Sequence, residues 1–326
     1  MKETCVENSE YAFLIGKIRA LESRLIHPSL FYQLVEAPSF SELCSILSNT
    51  SYQDSGESPL LMEYSLEENL LREARELYKL SPSPSPIEPF LWRWEIPFLK
   101  KVFRSLVLDS QVEFKRKVFL DPEVYQETCK TKNPFLLPHP FTIWLQKALH
   151  TKEKKEDFLA GEISIEKDFL METIRTPFPL LREYFIQEID FYNLKLILRR
   201  LKNSPLPLDS LLPGGSIPSY YLHLLSKGEI DHFIHYLAST SYEILARDGL
   251  THWKEKGEFW KIEFNFWVLR LKILSPANYS PFLPEALYYY LLKKENEIRN
   301  LRWIIHSKFA GWEEEKIKER LGPFNV

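Results

Sequence analysis

One amphipathic pattern recurs in this chain at widely separated places. DFYNLKLIL at 190–198 and EIRNLRWII at 297–305 carry an acid, an Asn, a Leu and a cation at the same offsets, and EIPFLKKVFR at 95–104 repeats the acid and the cation but has Phe98 at the Asn position. Wound as an α-helix, each copy gathers apolar residues into one stripe with the cation beside it. The stripes are Phe191, Leu194 and Leu198; Ile298, Leu301 and Ile305; and Ile96, Leu99 and Phe103. Such stripes are buried by packing helix on helix, so the repeat predicts similar helical units.

The rest of the chain also has the periodicity of helices. Apolar residues recur at spacings of three and four, alternating strand patterns are absent, and only 10 glycines occur in 326 residues. The 22 prolines cluster at breaks between the helical segments, and Pro179 and Pro284 stand where a helix start tolerates proline. Together these features predict an all-α protein built from short helical bundles. The main proline-rich breaks are 81–86, 133–140, 203–215 and 275–284.

A second repeated element is independent of the first. LVEAPSFSELCSILSNTSY, ending at Tyr52, aligns without a gap to LLSKGEIDHFIHYLASTSY, ending at Tyr242, and SIEKDFLMETIRTPF is a looser version that ends at Phe178. The order of cation-bearing helix, loop, short helix and Thr-x-aromatic occurs near 12–52, 95–178 and 190–242. This common order predicts three similar helical lobes around a pseudo-threefold axis. We expect the lobes to span 1–106, 107–205 and 206–326, with the C-terminal helices in the third.

Charge and composition narrow the function. The net charge is −3 and no basic face is evident, which argues against binding to nucleic acid. Three dispersed cysteines indicate neither a disulfide framework nor a zinc site, and a reducing compartment is expected. The polar start of the chain is not a signal peptide, and no apolar run reaches the roughly 20 residues of a membrane span. These features predict a chain without a transmembrane segment.

No motif points to catalysis. DHFIH places His232 and His235 one helical turn apart, but no second acid–histidine pair accompanies them. PGG at 213–215 lacks the spacing and the Lys of a phosphate loop, and no nucleophile motif occurs. Tryptophans at 253, 260 and 267 recur every seven residues, which predicts one helix side used for packing. We therefore expect a non-enzymatic protein with no cofactor and no metal.

Three segments resemble a known family. YAFLIGKIRALESRLI, then LLPGGSIP followed by a helix and TSY, and above all KKENEIRNLRWIIHSKFAGWEEEKIKERL are similar to the C subunits of archaeal and bacterial V/A-type ATPases, the counterparts of the d subunit of the eukaryotic vacuolar ATPase. The resemblance covers almost the whole chain. It departs at 15–17, where Ile-Gly-Lys replaces the family's usual Asn-Ala-Arg, and it is poor over about 107–160.

The resemblance implies a fold, a role and partners. Members are funnel-shaped and sit on the cytoplasmic face of the membrane rotor ring, where they form a socket for the D and F subunits of the central stalk and turn with them. A non-catalytic rotor subunit that transmits torque for ion transport is therefore expected. A stalk contact should combine charged groups with an apolar patch. The candidate interface residues are therefore the cations lining the repeat helices, Lys17, Arg19, Lys195 and Arg302. Two alternatives remain open from the residues alone: a helical-repeat scaffold with other protein partners, and an all-α enzyme.

Overall fold

The computed structural model describes residues 9–52, 58–151, 158–202 and 211–324. Within these ranges the regular structure is helical and contains no β-strand, which confirms the predicted all-α class. Short 3-10 turns and one π-helical segment, Leu245–Leu250, connect the α-helices. The α-helices are α1 (Ala12–Glu22), α2 (Pro28–Glu36), α3 (Phe40–Leu47), α4 (Pro59–Leu80), α5 (Glu88–Leu108), α6 (Pro122–Thr131), α7 (Phe141–Thr151), α8 (Phe158–Thr173), α9 (Pro179–Leu201), α10 (Ser219–Ser226), α11 (Ile230–Leu237), α12 (Thr251–Lys256), α13 (Trp260–Leu274), α14 (Glu285–Phe309) and α15 (Glu314–Glu319).

Proline marks where several helices begin. Pro28, Pro59, Pro122 and Pro179 each occupy the first turn of a helix, where the missing N–H costs no intrahelical hydrogen bond. Pro284 immediately precedes α14. The predicted helix starts at Pro179 and Pro284 are therefore confirmed.

The three copies of the repeat are helices, and their apolar stripes are buried. They lie in α5, α9 and α14, which we call the repeat helices. No residue of the three stripes exposes more than 8% of its surface. The acid that begins each copy is also buried, although a carboxylate loses strong hydration on burial. The structure must therefore supply hydrogen-bond donors to each of these acids.

Asp190 on α9 accepts hydrogen bonds from a loop and a tyrosine. The backbone N–H groups of Ser216 and Ile217 donate to its carboxylate at 2.9 and 3.1 Å, and the Tyr242 hydroxyl donates at 2.7 Å. Gly215 makes this approach possible, because a Cβ at that position would lie 2.2 Å from the carboxylate of Asp190. The PGG segment is thus a turn fitted to a buried acid.

Glu297 on α14 has the same kind of partners in the first part of the chain. Its carboxylate accepts from the backbone N–H of Ile26, two residues before Pro28, and from the Tyr52 hydroxyl at 2.5 Å. Lys294, which is itself buried, adds a contact at 3.2 Å. The last long helix therefore supplies the acid for the Thr-Ser-Tyr element nearest the N-terminus.

Glu95 on α5 completes the set with a different tyrosine. It accepts from the backbone N–H groups of Phe119 and Leu120 at 2.6 and 2.7 Å and from the Tyr125 hydroxyl. The aromatic residue that the sequence pattern offered here, Phe178, keeps only the local turn, in which its N–H donates to a threonine hydroxyl at 3.4 Å. Because Phe178 has no hydroxyl, Tyr125 on α6 takes the donor role.

We call these three arrangements the carboxylate junctions. Burial, followed by the neighbouring carboxylate, raises the pKa of the tyrosine hydroxyl in each, so that the hydroxyl keeps its proton and remains a donor. Burial also raises the pKa of Glu95, although hydrogen bonds from Tyr125, Leu120 and Phe119 oppose that shift. Each junction joins a repeat helix to a loop. The helix that follows this loop begins two or three residues after the donating N–H groups, at Pro28, at Pro122 or at the residue after Pro218.

The Asn side chain of the repeat forms hydrogen bonds with a second loop in two of the three copies. The Asn193 side chain accepts from the N–H of Leu212 at 2.7 Å and donates to its carbonyl at 2.9 Å. Asn300 accepts from the N–H of Gly322 at 3.0 Å. Phe98 stands at this position in α5 and packs against other aromatic rings instead, so the third copy has lost this contact.

The long C-terminal helix packs beside the N-terminal helices. α14 contacts α1, α2, α3 and α4, and α15 contacts α2. A second, smaller core lies between the later half of α9 and α10 to α13. The last repeat helix of the chain therefore packs against the first helices of the chain. The boundaries at 106 and 205 stay predictions.

The heptad of tryptophans does not lie on one helix. α12 ends at Lys256, and Gly257 follows with a φ of +70°, a left-handed conformation that ends the helix. α13 then begins at Trp260. Trp253 is therefore on a different helix from Trp260 and Trp267, and the prediction of a single helix side is wrong.

We expect Tyr242→Phe to test the Asp190 junction. The substitution removes one hydrogen bond to a buried carboxylate but keeps the ring in the core. The free energy of unfolding should fall by about 2 kcal/mol, the usual size for a hydrogen bond to a charged group, while the helical circular dichroism stays the same. Urea denaturation gives the value.

Tyr279→Phe is the matched control, because Tyr279 is 86% exposed. Its free energy of unfolding should equal that of the wild-type chain. Equal losses in the two variants would show that the Asp190 contact does not carry the stability assigned to it.

Candidate functional site

Each repeat helix carries two basic side chains on a common face. They stand five and nine residues after the buried acid, so they lie one turn apart on the same side of the helix. We call each pair a basic face. The basic faces are Lys100 and Arg104 on α5, Lys195 and Arg199 on α9, and Arg302 and His306 on α14.

The basic face of α5 is neutralised by α8. Lys100 forms an ion pair with Glu166 at 2.5 Å, and Arg104 forms one with Glu162. The ion pair raises the pKa of Arg104. The two acids are themselves four residues apart, so a pair on one helix meets a pair on its neighbour.

The basic face of α14 is neutralised in the same way by α4. Arg302 contacts the carboxylates of Glu63 and Glu67, the latter at 2.8 Å, and His306 lies 3.0 Å from Glu63. These two acids are again four residues apart. Two of the three basic faces therefore have the same kind of partner, which is a pair of acids four residues apart on the neighbouring helix.

The basic face of α9 has no such partner within the described ranges. Neither Lys195 nor Arg199 forms an ion pair there, and the Lys195 ammonium instead lies 4.3 Å from the centre of the Phe191 ring. α13 packs beside α9, and its only acid is Glu263. Burial lowers the pKa of Lys195, and the positive charge of Arg270 lowers it further.

A group of opposite charges links the repeat helices at the other end of these faces. The residue two places before each buried acid is charged: Arg93 on α5, Glu188 on α9 and Glu295 on α14. Arg93 forms an ion pair with Glu295, and it donates to the Tyr184 hydroxyl at 3.4 Å. Burial alone would lower the pKa of Arg93, but Glu295 raises it above its usual value.

Glu188 is held by α13. Arg270 donates to both of its oxygens, one at 2.8 Å, and the side chains of Glu188 and Arg270 are only 14% and 10% exposed. Burial would raise the pKa of Glu188, but the ion pair with Arg270 outweighs it and the net pKa is lowered. Glu188 is therefore ionised and fixed in place between α9 and α13.

The four predicted interface residues do not share one environment. Arg19 is engaged inside the chain, since it donates to the Asn278 carbonyl at 2.7 Å and pairs with Glu22. Arg302 is engaged by α4. Lys17 is half-buried and has no hydrogen bond or ion pair within the described ranges. Lys195 lies on the unpaired basic face of α9, so in the described part of the chain Lys17 and Lys195 are the two of the four whose charges are unpaired.

The repeat contained a signal that the sequence reasoning missed. A second basic residue follows the first by four positions in all three copies, as Arg104, Arg199 and His306. Glu188 and Glu295, which stand two places before a buried acid, can also be recognised from the sequence of the repeat. Which of these charges are neutralised could not be read from one copy, because the partners lie on α4, α8 and α13.

The DHFIH segment and one surface cleft are further candidate sites. Asp231 pairs with Lys254 at 2.6 Å and His232 with Glu229 at 3.0 Å, so the DHFIH segment holds separate surface pairs. The described ranges contain no group of three or more His, Cys, Asp or Glu side chains placed to hold a metal ion. One open cleft is lined by aromatic and basic residues, among them Trp260, Trp303 and Arg320.

Comparison with known proteins identifies the family. The model of the ATP synthase (C/AC39) subunit family matches residues 14–320. The chain is 25% identical to the C subunit of the V-type sodium ATPase of Enterococcus hirae, over 96% of this chain and 98% of that protein. It is also 25% identical to the C subunit of the A-type ATP synthase of Methanocaldococcus jannaschii, over 97% of this chain and 87% of that protein. This chain thus belongs to the ATP synthase (C/AC39) subunit family, as the sequence resemblance predicted.

We expect Glu188→Gln to leave Arg270 buried without its carboxylate. At pH 7 the loss in unfolding free energy should be about 3 kcal/mol, in the range found for broken buried pairs. Because the folded pKa of Glu188 is lowered, its contribution is full above the unfolded value near 4.5 and is lost as the pH falls through the folded pKa. The difference between wild type and variant should shrink below about pH 4.5 in urea titrations.

Glu183→Gln is the control, since Glu183 is exposed on the same helix. It should differ little from wild type at any pH. A Glu188→Gln variant whose deficit stays constant from pH 7 to pH 3 would contradict the ion-pair assignment.

Proposed function

We propose that this chain is a non-catalytic rotor subunit of a V/A-type ATPase or ATP synthase. In this role it is a socket that joins the D and F subunits of the central stalk to the membrane rotor ring and transmits torque for ion transport. The observation that carries the proposal is the repeated basic face on α5, α9 and α14, in a chain whose family is that of ATP synthase C subunits. The coupling is mechanical and needs no cofactor or metal in this chain.

A torque-transmitting part must resist deformation. Each carboxylate junction fixes a repeat helix to a loop by several directional hydrogen bonds to one carboxylate. Close packing of the apolar stripes resists compression. The ion pairs Arg93–Glu295 and Arg270–Glu188 add links between helices. These contacts support a stiff body of three similar lobes around a pseudo-threefold axis, open as a funnel toward the stalk.

The contacts of the last helix favour one revision of the proposed lobes. α14 packs against α1 to α4 and gives its acid to the Tyr52 element. We assign each repeat helix to the lobe whose loop it holds: α14, with α15, to the first lobe rather than the third, α5 to the second and α9 to the third. The three lobes then have one junction each, at Glu297, Glu95 and Asp190 in chain order of their loops.

The membrane contact is made through the ring. No helix in the described part of the chain is both long enough and apolar enough to span a bilayer. We place the protein on the cytoplasmic side, peripheral to the membrane and held there by the rotor ring, with the stalk on the opposite face.

The test is affinity capture of the tagged chain from cells that carry its own V/A-type ATPase. Recovery of the stalk D and F subunits together with the ring protein supports the socket. Recovery of an unrelated complex would favour a helical-repeat scaffold. A purified chain that turns over a small substrate on its own would favour an all-α enzyme.

Among the predicted interface cations, charge reversal should separate Lys195 from Arg302. Arg302→Glu places a third carboxylate beside Glu63 and Glu67, so it should lower the unfolding free energy by about 1 kcal/mol, a modest value because Arg302 is 39% exposed. Lys195→Glu should leave stability nearly unchanged and weaken stalk binding. Thermal melts and binding to purified D–F measure the two effects.

The helical circular dichroism of both variants should match wild type at temperatures well below unfolding. Lys17→Glu and Arg19→Glu complete the set of proposed interface residues. Unaltered stalk binding by Lys195→Glu would remove Lys195 from the interface.

A further inference from the structure

Two of the three basic faces pair with acids of a neighbouring helix in the described residues, and the third does not. On α5 and α14, two basic side chains four residues apart meet two acids four residues apart on the neighbouring helix. The acids lie on α8 and α4, respectively. On α9 the basic pair is present, but α13 offers only Glu263 and no ion pair forms in the described ranges.

The unpaired face is unfavourable in the isolated chain. Two like charges four residues apart repel each other on a helix. Lys195 is half-buried, and burial, Arg270 and Arg199 lower its pKa, although Glu188 and Glu263 act in the opposite direction and the net pKa is lowered. A negative partner would relieve both effects. The basic faces of α5 and α14 indicate the form of such a partner, because each is paired with two carboxylates spaced by four residues on a helix.

We propose that Lys195 and Arg199 bind a partner helix that carries two carboxylates four residues apart. This inference rests on the proposed function, and the partner helix is assigned to the central stalk. The partner takes the place at α9 that α8 has at α5 and α4 has at α14. One intermolecular acid pair then completes a set of three, and it fixes the rotational register of the stalk against a nearly threefold body.

The position of Arg199 near the end of α9 offers a simpler explanation for part of the face. A cation in the last turn interacts favourably with the carbonyl end of a helix. That effect accounts equally for Arg199 and Arg200, which are both in the last turn and both exposed. It does not account for Lys195, one turn earlier and half-buried.

A zero-length crosslink tests the pairing directly. A carbodiimide joins a lysine amine to a carboxylate in contact with it, with loss of one water. In the complex of the full chain with D and F, we expect Lys195 to crosslink to one of two stalk acids spaced by four residues, identified by mass spectrometry. Lys195→Arg should abolish this crosslink and retain binding, because it keeps the charge.

Binding measurements supply the matched comparison. Arg199→Gln should weaken stalk binding at least about tenfold at low salt, as expected for loss of a partly desolvated charge pair. Arg200→Gln removes the same charge from the next residue, on a different side of the helix, and should change binding less than about twofold. The gap between the two variants should narrow at about 0.5 M salt as charges are screened.

The outcomes separate the two levels of the proposal. A wild-type chain that does not bind D–F overturns the proposed function. Wild-type binding with equal effects of Arg199→Gln and Arg200→Gln overturns this inference alone. A Lys195 crosslink to an acid of the same chain or of the ring protein also overturns it.

Discussion

A buried carboxylate that accepts backbone N–H groups and a tyrosine hydroxyl is the constraint on which this architecture depends. An ionised acid in an apolar core is tolerated only where donors surround it. Asp190, Glu95 and Glu297 each meet this requirement with a loop that runs into a helix started by or just after a proline, and with Tyr242, Tyr125 or Tyr52. The loop, the tyrosine and the repeat helix therefore have to be placed together, which fixes the arrangement at each junction.

Sequence could predict the helices because their signals are local. Pro179 and the stripe of Phe191, Leu194 and Leu198 define the start and the buried side of α9 without reference to any other part of the chain. The junctions are not local. Tyr52 and Glu297 are far apart in the chain, yet their side chains are hydrogen-bonded. The only sequence signal for this contact is that a second tyrosine and acid, Tyr242 and Asp190, occur at matching positions of the two repeats.

The same distinction explains why the Thr-x-aromatic pattern did not reveal the donor to Glu95 and why the prediction for the tryptophans is wrong. Phe178 has the right neighbours for the third Thr-x-aromatic element, and its turn forms, but the repeat is maintained by the hydroxyl that Phe178 lacks. The tryptophans at 253, 260 and 267 keep a heptad across Gly257, whose left-handed backbone ends α12.

Variation among the three repeat helices distinguishes the contacts that all three share from the charges that only two of them pair within the described residues. The stripe and the acid are buried in all three, so they serve folding. The basic faces differ: Lys100 and Arg302 are matched by acids of the chain itself, whereas Lys195 has no such match in the described ranges. The proposed threefold body would by itself offer the stalk three equivalent orientations. In that proposal, two faces neutralised within the described residues and one left unpaired there remove the degeneracy, so the electrostatic asymmetry would specify one orientation while the repeated junctions keep the body stiff.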